Sequence, residues 1–303
     1  MANTYAKVSG TFQEADEVYA KVSGTWQEVD EVYGKVSGVW KLVFAAFTAT
    51  SFVTENSGSG TFTVPQGANA IHIQAGVGGG GGGLRGVDYD KAGGESAGSG
   101  GGSGAFISDK IFSVVEGETL TYAVGSAGAK NTSGYSGSTG SDGGTTTLSG
   151  SSTGSIFSLA GGTKATITSN GGVQGPLRQN TNGVAGTATI SGTAITSGTF
   201  KDSSGNTVNV TSNTSGPVGT FNSSGNGANG TLKGNCGGDN CAITGGDGGP
   251  SFDGNIAGGS GAPGVSNGTR GSGGGGGSSN AGGGPTASDG GSGQIIYRFI
   301  RVI

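Results

Sequence analysis

Along the first 47 residues, apolar and polar positions alternate in short runs interrupted by Ser-Gly. Val18, Ala20 and Val22 alternate with Tyr19 and Lys21, and Ser23-Gly24 follows. A period of two predicts half-buried strands, and a glycine at the second loop position predicts a two-residue hairpin turn. The pattern recurs every 14 residues: Ala6–Tyr19 is repeated as Ala20–Tyr33, and Gly34–Trp40 opens a third copy that diverges from Lys41. A two-residue loop at Ser23-Gly24 sets Lys21 opposite Trp26. Such small hairpins are marginal alone in water. Phe12, Trp26 and Trp40 are therefore the candidate attachment residues, expected to dock on a partner protein or on copies of the chain.

The alternation continues beyond the repeats. Thr61–Val64 reads as a strand, Pro65-Gln66-Gly67 as a turn, and Ile71 and Ile73 alternate with His72 and Gln74. Ala105–Ile107, Ile111–Val115 and Thr119–Val124 read as further strands, and Gln294–Val302 as the closing one. Between these lie two glycine blocks, with 15 of 29 residues glycine over 76–104 and 22 of 49 over 245–293. Residues 150–244 are instead rich in Ser, Thr and Asn, with strand-like pieces at Lys164–Thr168, Thr187–Ile190 and Thr207–Val210. Four segments follow: a repeat module (1–47), a first glycine-rich β part (48–149), a Ser/Thr/Asn-rich β insert (150–244) and a glycine block with the closing strand (245–303).

Composition narrows the fold class. Glycine supplies 72 of the 303 residues, while hydrophobic residues make up 31% and charged residues 11%. Glycine costs about 1 kcal/mol relative to alanine inside a helix, so packed long helices are excluded. The 12 Phe, 7 Tyr and 2 Trp argue against disorder, which is poor in aromatics. The glycine blocks can be flexible linkers or extended three-residue-per-turn helices packed backbone to backbone. Good strands flank both blocks, and packing satisfies backbone groups that a linker leaves to water. The lattice is the expectation. The chain is thus read as all-β: hairpin repeats followed by a glycine-rich β/polyglycine-II body, elongated and fibre-like, with Thr61–Val64 near Gln294–Val302. A net charge of −4 offers no basic stripe for nucleic acid.

Gly60-Thr-Phe-Thr-Val-Pro-Gln-Gly67, followed by Ile71-His-Ile-Gln74 and Gly76-Val-Gly-Gly-Gly-Gly-Gly-Gly83, resembles the opening of glycine-rich domains in bacteriophage tail fibres and tail-tip adhesins. Gly290-Gly-Ser-Gly-Gln-Ile-Ile-Tyr297 resembles their closing strand, and the Lys-Val-Ser-Gly-Thr-Trp copies resemble short repeats at the virion-proximal end of phage tail proteins. The resemblance covers about residues 6–125 and 245–303, and residues 150–244 depart from it. It implies a non-enzymatic virion protein, anchored to other tail or baseplate proteins by its repeats and recognising a host-surface receptor, protein or glycan. A structural virion protein (head fibre, collar or decoration) is the alternative, and a polysaccharide depolymerase a further one. A homotrimer is expected, because closed three-fold packing protects strand edges. Met1-Ala2-Asn3-Thr4-Tyr5 lacks the basic and apolar regions of a secretory leader, so synthesis in the host cytoplasm and residence in the virion are expected.

Candidate chemistry is sparse. His72 is the single histidine, so any Ser-His-Asp mechanism within the chain must use it; an ordinary surface or interstrand histidine is the preferred reading, and three copies converging on the axis of a trimer to hold an ion a minor one. Asp88 and Asp90 form a carboxylate pair of the kind glycoside hydrolysis uses, or are simply charged loop residues. Cys236 and Cys241 suit a short disulfide or free thiols; two thiols fall short of the four ligands of structural zinc. Asp-Gly turns at Asp247 and Asp289 need only turn chemistry. No cofactor or metal is expected. Tyr89, Tyr135, Phe252 and Arg270 lie in loops between glycine runs and are the candidate receptor contacts.

Overall fold

The computed structural model describes residues 5–8, 11–14, 18–29, 31–45, 47–84, 99–131, 140–167, 180–181, 183–210, 218–219, 231–233, 242–244 and 287–303. The repeats fold into three separate two-stranded hairpins: β1 (Tyr5–Val8) with β2 (Thr11–Glu14), β3 (Tyr19–Val22) with β4 (Thr25–Glu28), and β5 (Glu31–Val36) with β6 (Val39–Ala45). Ser23 and Gly24 have φ of 50° and 86°, and Ser37 and Gly38 have 50° and 84°. Two successive positive φ values define the turn whose twist matches paired strands. Lys21 stands opposite Trp26, as the loop length requires, and the same register pairs Lys7 with Phe12 and Lys35 with Trp40.

The body is a sandwich of two five-stranded antiparallel sheets. Its strands are β7 (Val53–Glu55), β8 (Ser59–Thr63), β9 (Ala70–Val77), β10 (Phe106–Ser113), β11 (Thr119–Ala123), β12 (Thr146–Gly150) and β13 (Gly154–Leu159), and, beyond a short pair β14–β15 (Thr166–Ile167, Asn180–Thr181), β16 (Ala188–Ile190). A hairpin β17–β18 (Thr199–Lys201, Thr207–Asn209) and β19 (Val218–Gly219) follow, then a pair β20–β21 (Thr231–Lys233, Ala242–Thr244) and β22 (Gln294–Ile300). One sheet runs β19-β10-β9-β22-β7 and the other β16-β13-β12-β11-β8. No helix occurs among the described residues.

Alternation sorts the strands into two faces. Ile71, Ile73, Ile107, Phe112 and Ile295 of the first sheet meet Leu120, Leu148, Phe157 and Leu159 of the second in a buried core. Thr61–Val64 and Gln294–Val302 lie on facing sheets, and the Phe62 ring stacks on Tyr297 at 4.4 Å. On the outer face of the first sheet a second apolar cluster joins Ala49, Ala70, Ile111 and Ile300 to Phe200 and Val210 of the β17–β18 region.

The boundary expected between residues 149 and 150 separates no structural units. β12 pairs with β13 and β13 with β16, so residues 154–190 contribute two strands to the second sheet. The strand-like pieces in this stretch are part of the sandwich.

At one end of the sandwich the period changes from two to three. Seven stretches continue from strand ends: 78–84 from β9, 99–105 into β10, 124–131 from β11, 140–145 into β12, 160–165 from β13, 183–187 into β16 and 287–293 into β22. The 78–84 rod lies in their midst. Gly78, Gly81 and Leu84 donate to Ala105, Gly102 and Ser99; Gly79 and Gly82 to Gly144 and Ser141; Gly80 and Gly83 to Gly291 and Ser288, all at 2.8–3.2 Å. Every third N–H thus points to the same neighbour, the signature of a three-residue screw. Two further rods donate back, Gly162 and Ala165 to the Gly79 and Gly82 carbonyls, and Gly128 and Asn131 to those of Gly80 and Gly83. Glycine is required by space: a Cβ on Gly79, Gly81 or Gly82 would sit 2.0, 2.1 or 1.9 Å from a backbone oxygen. The glycine runs of the described residues form a lattice, not linkers; residues 245–286 of the second block lie outside the described residues.

Candidate binding surface at the lattice end

Direction along each rod decides what the molecule displays. Rods 78–84, 124–131 and 160–165 run away from the sandwich, and 99–105, 140–145, 183–187 and 287–293 run back. The segments 85–98, 132–139 and 168–179 therefore start and finish at the far end of the lattice, and the long stretch from β16 to Ala287 finishes there. Leu84 donates to Ser99 at 2.8 Å, fixing the two ends of segment 85–98 together. Segment 168–179 is fixed by the pairing of Thr166–Ile167 with Asn180–Thr181, and Asn131 and Gly140 bracket segment 132–139. Tyr89 and Tyr135 belong to these segments, and Phe252 and Arg270 to the stretch preceding Ala287. All four lie outside the described residues; both anchors of the Tyr89 and Tyr135 segments lie at this end, and of the stretch holding Phe252 and Arg270 only the Ala287 end does.

Two side chains absent from the candidates brace this end. Asp289 accepts the Lys130 N–H at 2.8 Å, and Asp142 accepts the Lys164 N–H at 2.9 Å, each clamping one rod to another. The signal in the sequence was faint, a lone Asp beside glycine, which a turn explains equally well. Buried Thr146 makes the join to the sandwich. Its hydroxyl donates to the Val77 carbonyl at 2.7 Å and accepts the Gly125 N–H at 2.9 Å.

The opposite end receives the repeats. Phe47 packs on the Pro65–Gly67 turn, where a Cβ on Gly67 would lie 3.0 Å from the Phe47 ring. Thr50 exchanges hydrogen bonds with Phe299, its N–H to the carbonyl and its hydroxyl from the N–H. Glu118 ties the neighbouring turns. Its carboxylate accepts N–H bonds from Val115, Ser152 and Thr153 and the Thr153 hydroxyl. Burial alone raises its pKa, yet these bonds outweigh it and hold the carboxyl below the usual range.

His72 sits on the outer face of the first sheet between Asp109 and Arg298. Its Nε2 lies 2.7 Å from Asp109 Oδ1, and Arg298 Nε donates to its Nδ1 at 3.2 Å. A ring nitrogen that accepts from guanidinium carries no proton, so Nε2 donates to Asp109 and the ring is neutral. Burial pushes its pKa down, Arg298 adds to this, and Asp109 opposes without restoring it. Arg298 in turn lies over the Phe52 ring at 4.4 Å and the Phe200 ring at 5.2 Å. Asp109 reaches the ring through a left-handed backbone, φ 53°. Both nitrogens of His72 are engaged by side chains of the same sheet face. The arrangement is a structural clasp.

The remaining candidates divide. Trp40 is exposed on its hairpin, and Phe12 and Trp26 occupy the equivalent register positions. Asp88, Asp90, Cys236, Cys241 and Asp247 lie outside the described residues. Among the described residues, no group of three or more His, Cys, Asp or Glu is arranged to hold a metal, and no helix is long and apolar enough to cross a membrane.

Comparison with known proteins gives one match. A family model described as a glycine-rich domain fits residues 54–300. No curated protein sequence matches the chain. The family match runs through residues 150–244, which corrects the departure read there from scarce glycine runs; β13, β16 and two of the rods account for the continuity. From β7 to the end of β22, over most of its length, the chain belongs to the glycine-rich domain family.

Proposed function

We propose that this protein is a non-enzymatic attachment component of a bacteriophage tail, a tail-fibre or tail-tip protein. Its N-terminal hairpins dock on other tail or baseplate proteins, and its lattice presents inter-rod loops to a receptor on the bacterial surface. One observation carries the reading: the repeats enter the body beside the Pro65–Gly67 turn, and segments 85–98, 132–139 and 168–179 leave from the other end. A rigid scaffold with anchorage at one pole and loops at the other is the arrangement in which loops do the recognising. The loops hold aromatic residues among Ser, Thr and Asn, a chemistry suited to protein loops or glycans. The virion is the proposed location.

The experiment is adsorption. Mass spectrometry of purified particles establishes whether the chain is a virion component. Purified protein is then added to host cells before those particles. Dose-dependent block of adsorption, lost when residues 132–139 are replaced by Gly-Ser, supports the proposal. A virion protein that neither binds cells nor competes is a structural element instead.

A further inference from the structure

The 78–84 rod has five neighbours and room for a sixth. Among the described residues, hydrogen bonds link those neighbours in the order 99–105, 160–165, 140–145, 124–131, 287–293, and none closes the ring between 287–293 and 99–105. The same gap shows in the central rod. Its N–H groups serve three neighbours but its carbonyls only two. Gly79 and Gly82 accept from 160–165, Gly80 and Gly83 accept from 124–131, and among the described residues nothing donates to Gly78 or Gly81. On a three-residue screw the third set of carbonyls points a third of a turn from the other two, which is into the gap. Yet Gly78–Leu84 are buried, as are Ser103 and Ser288 on the flanking rods. A slot one rod wide beside them would admit water if nothing lay in it.

Direction identifies what belongs there. Both rods that donate to 78–84 run outward from the sandwich, and all three that accept from it run back. The missing donor therefore runs outward. Rods 99–105, 140–145 and 183–187 each return after an outward rod, whereas 287–293 has no outward partner among the described residues. The chain must make one such passage before it, since Val218–Gly219 pairs with Phe106–Ile107 at the sandwich boundary and Ala287 stands at the far end. Segments 85–98, 132–139 and 168–179 begin and end at the far end, and none is long enough to pass in and out along a rod such as 78–84 and still turn.

We infer that Gly273–Gly277, the longest glycine run between residues 220 and 286, fills this slot as an outward rod donating to the Gly78 and Gly81 carbonyls. Close approach demands glycine around those carbonyls: a Cβ on Gly101 of the flanking rod would sit 2.1 Å from the Gly81 oxygen. Residues 271–277 match 78–84 in length, and 278–286 then connects the rod to Ala287 much as 132–139 connects its own pair. The seating does not depend on the proposed role, but it sharpens it. Arg270 enters the rod from the sandwich side and so leaves the set of receptor contacts, while 278–286 starts and finishes at the far end.

The test uses the purified full-length chain. Hydrogen exchange read by mass spectrometry is expected to show the amides of 273–277 exchanging at least ~100-fold more slowly than unprotected ones, as bonded backbone does. Alanine placed singly at each position of this run is expected to lower Tm with a period of three, Gly273 matching Gly276 and Gly274 matching Gly277. Paired nitroxides in a Cys236→Ser, Cys241→Ser background read the direction. The distance for Lys130→Cys with Ser279→Cys is expected to be shorter than for Lys130→Cys with Thr269→Cys by at least ~10 Å, from a rise of ~3.1 Å per residue. Free exchange over 273–277, equal small losses along the run, or a Ser279 distance no shorter than that of Thr269 each overturn the seating. None of these readings involves cells or particles, so their failure leaves the virion role standing, and a failed adsorption experiment leaves the seating standing.

Discussion

Substitution of Gly82 by alanine tests the lattice most directly. The added Cβ would lie 1.9 Å from the Ala129 oxygen and 2.4 Å from its carbon, both backbone atoms. Ordinary contact begins near 3.4 Å, so rod 124–131 must withdraw by about 1.5 Å, well beyond what a close-packed interior absorbs. That movement breaks the 2.8 Å bond from Gly128 to Gly80 and the 2.9 Å bond from Asn131 to Gly83. Overpacking costs roughly 1–3 kcal/mol, and each buried backbone group left unpaired about 1–3 kcal/mol more. The sum is about 3–9 kcal/mol, against a total stability of roughly 5–15 kcal/mol for a folded domain.

A matched control separates packing from backbone strain. Gly205 has φ +82° and nothing within 4 Å of a Cβ, so alanine there costs only the left-handed penalty of about 1–2 kcal/mol. At roughly 2–4 °C per kcal/mol for a body of this size, Gly205→Ala lowers Tm by only a few degrees, whereas Gly82→Ala lowers it by at least ~6 °C. Urea unfolding followed by far-UV circular dichroism gives the same comparison at equilibrium. Equal losses for the two variants would refute the close approach of the rods, and with it the reading of Gly78–Gly83 as a packed helix.

Thr146→Val removes both bonds at the junction of sandwich and lattice and is expected to cost about 2–6 kcal/mol from two buried groups; Thr146→Ser restores them, and urea midpoints distinguish the pair. Glu118→Gln deprives buried N–H groups of a charged acceptor and is expected to cost about 1–3 kcal/mol at pH 7. Because the folded pKa of Glu118 is below the unfolded value, its stabilisation is present above that unfolded value and is lost as pH falls through the folded one; the variant's urea midpoint converges on wild type in acid. His72 also has a lowered folded pKa, so its contribution is intact above about pH 6.5 and declines as pH falls through the folded value. Asp109, Arg298 and, through Arg298, Asp202 are the charges that face this cluster. His72→Gln is expected to flatten the change in urea midpoint between pH 7.5 and 5.5, and an unchanged slope would show that another group carries it.

The hairpins were legible because each carries its own instructions. Ser23-Gly24 sets the turn, the turn sets the register, and the register sets Lys21 against Trp26. None of these steps needs a residue more than a few positions away. The closing strand was legible for a different reason: Ile295, Tyr297 and Phe299 present one apolar face strongly enough to need an opposing sheet. The sequence does not announce that β22 runs between β7 and β9, since that order depends on pairings more than 200 residues apart.

The lattice lies between these extremes. Glycine content and flanking strands were enough to expect rods, since only glycine permits backbones to approach so closely. Which rod meets which was hidden, because a run such as Gly78–Gly83 has no side chain to mark a register. Registry comes instead from where the strands end: Val77, Phe106, Ala123, Thr146, Leu159, Ala188 and Gln294 all end or begin their strands at this boundary. A rod inherits its neighbours from the sheets behind it. The β-sandwich therefore does more than carry the lattice, for it is the template that tells identical glycines apart. The Ser/Thr-rich stretch was misjudged on the same account: β13 and β16 set rods 160–165 and 183–187 beside the others although those rods are poor in glycine runs. Composition identified the material of the lattice, but strand order determines its membership. A shift of one strand, as by inserting a residue before Thr146, should accordingly misregister rod 140–145 along its whole length while leaving every glycine in place.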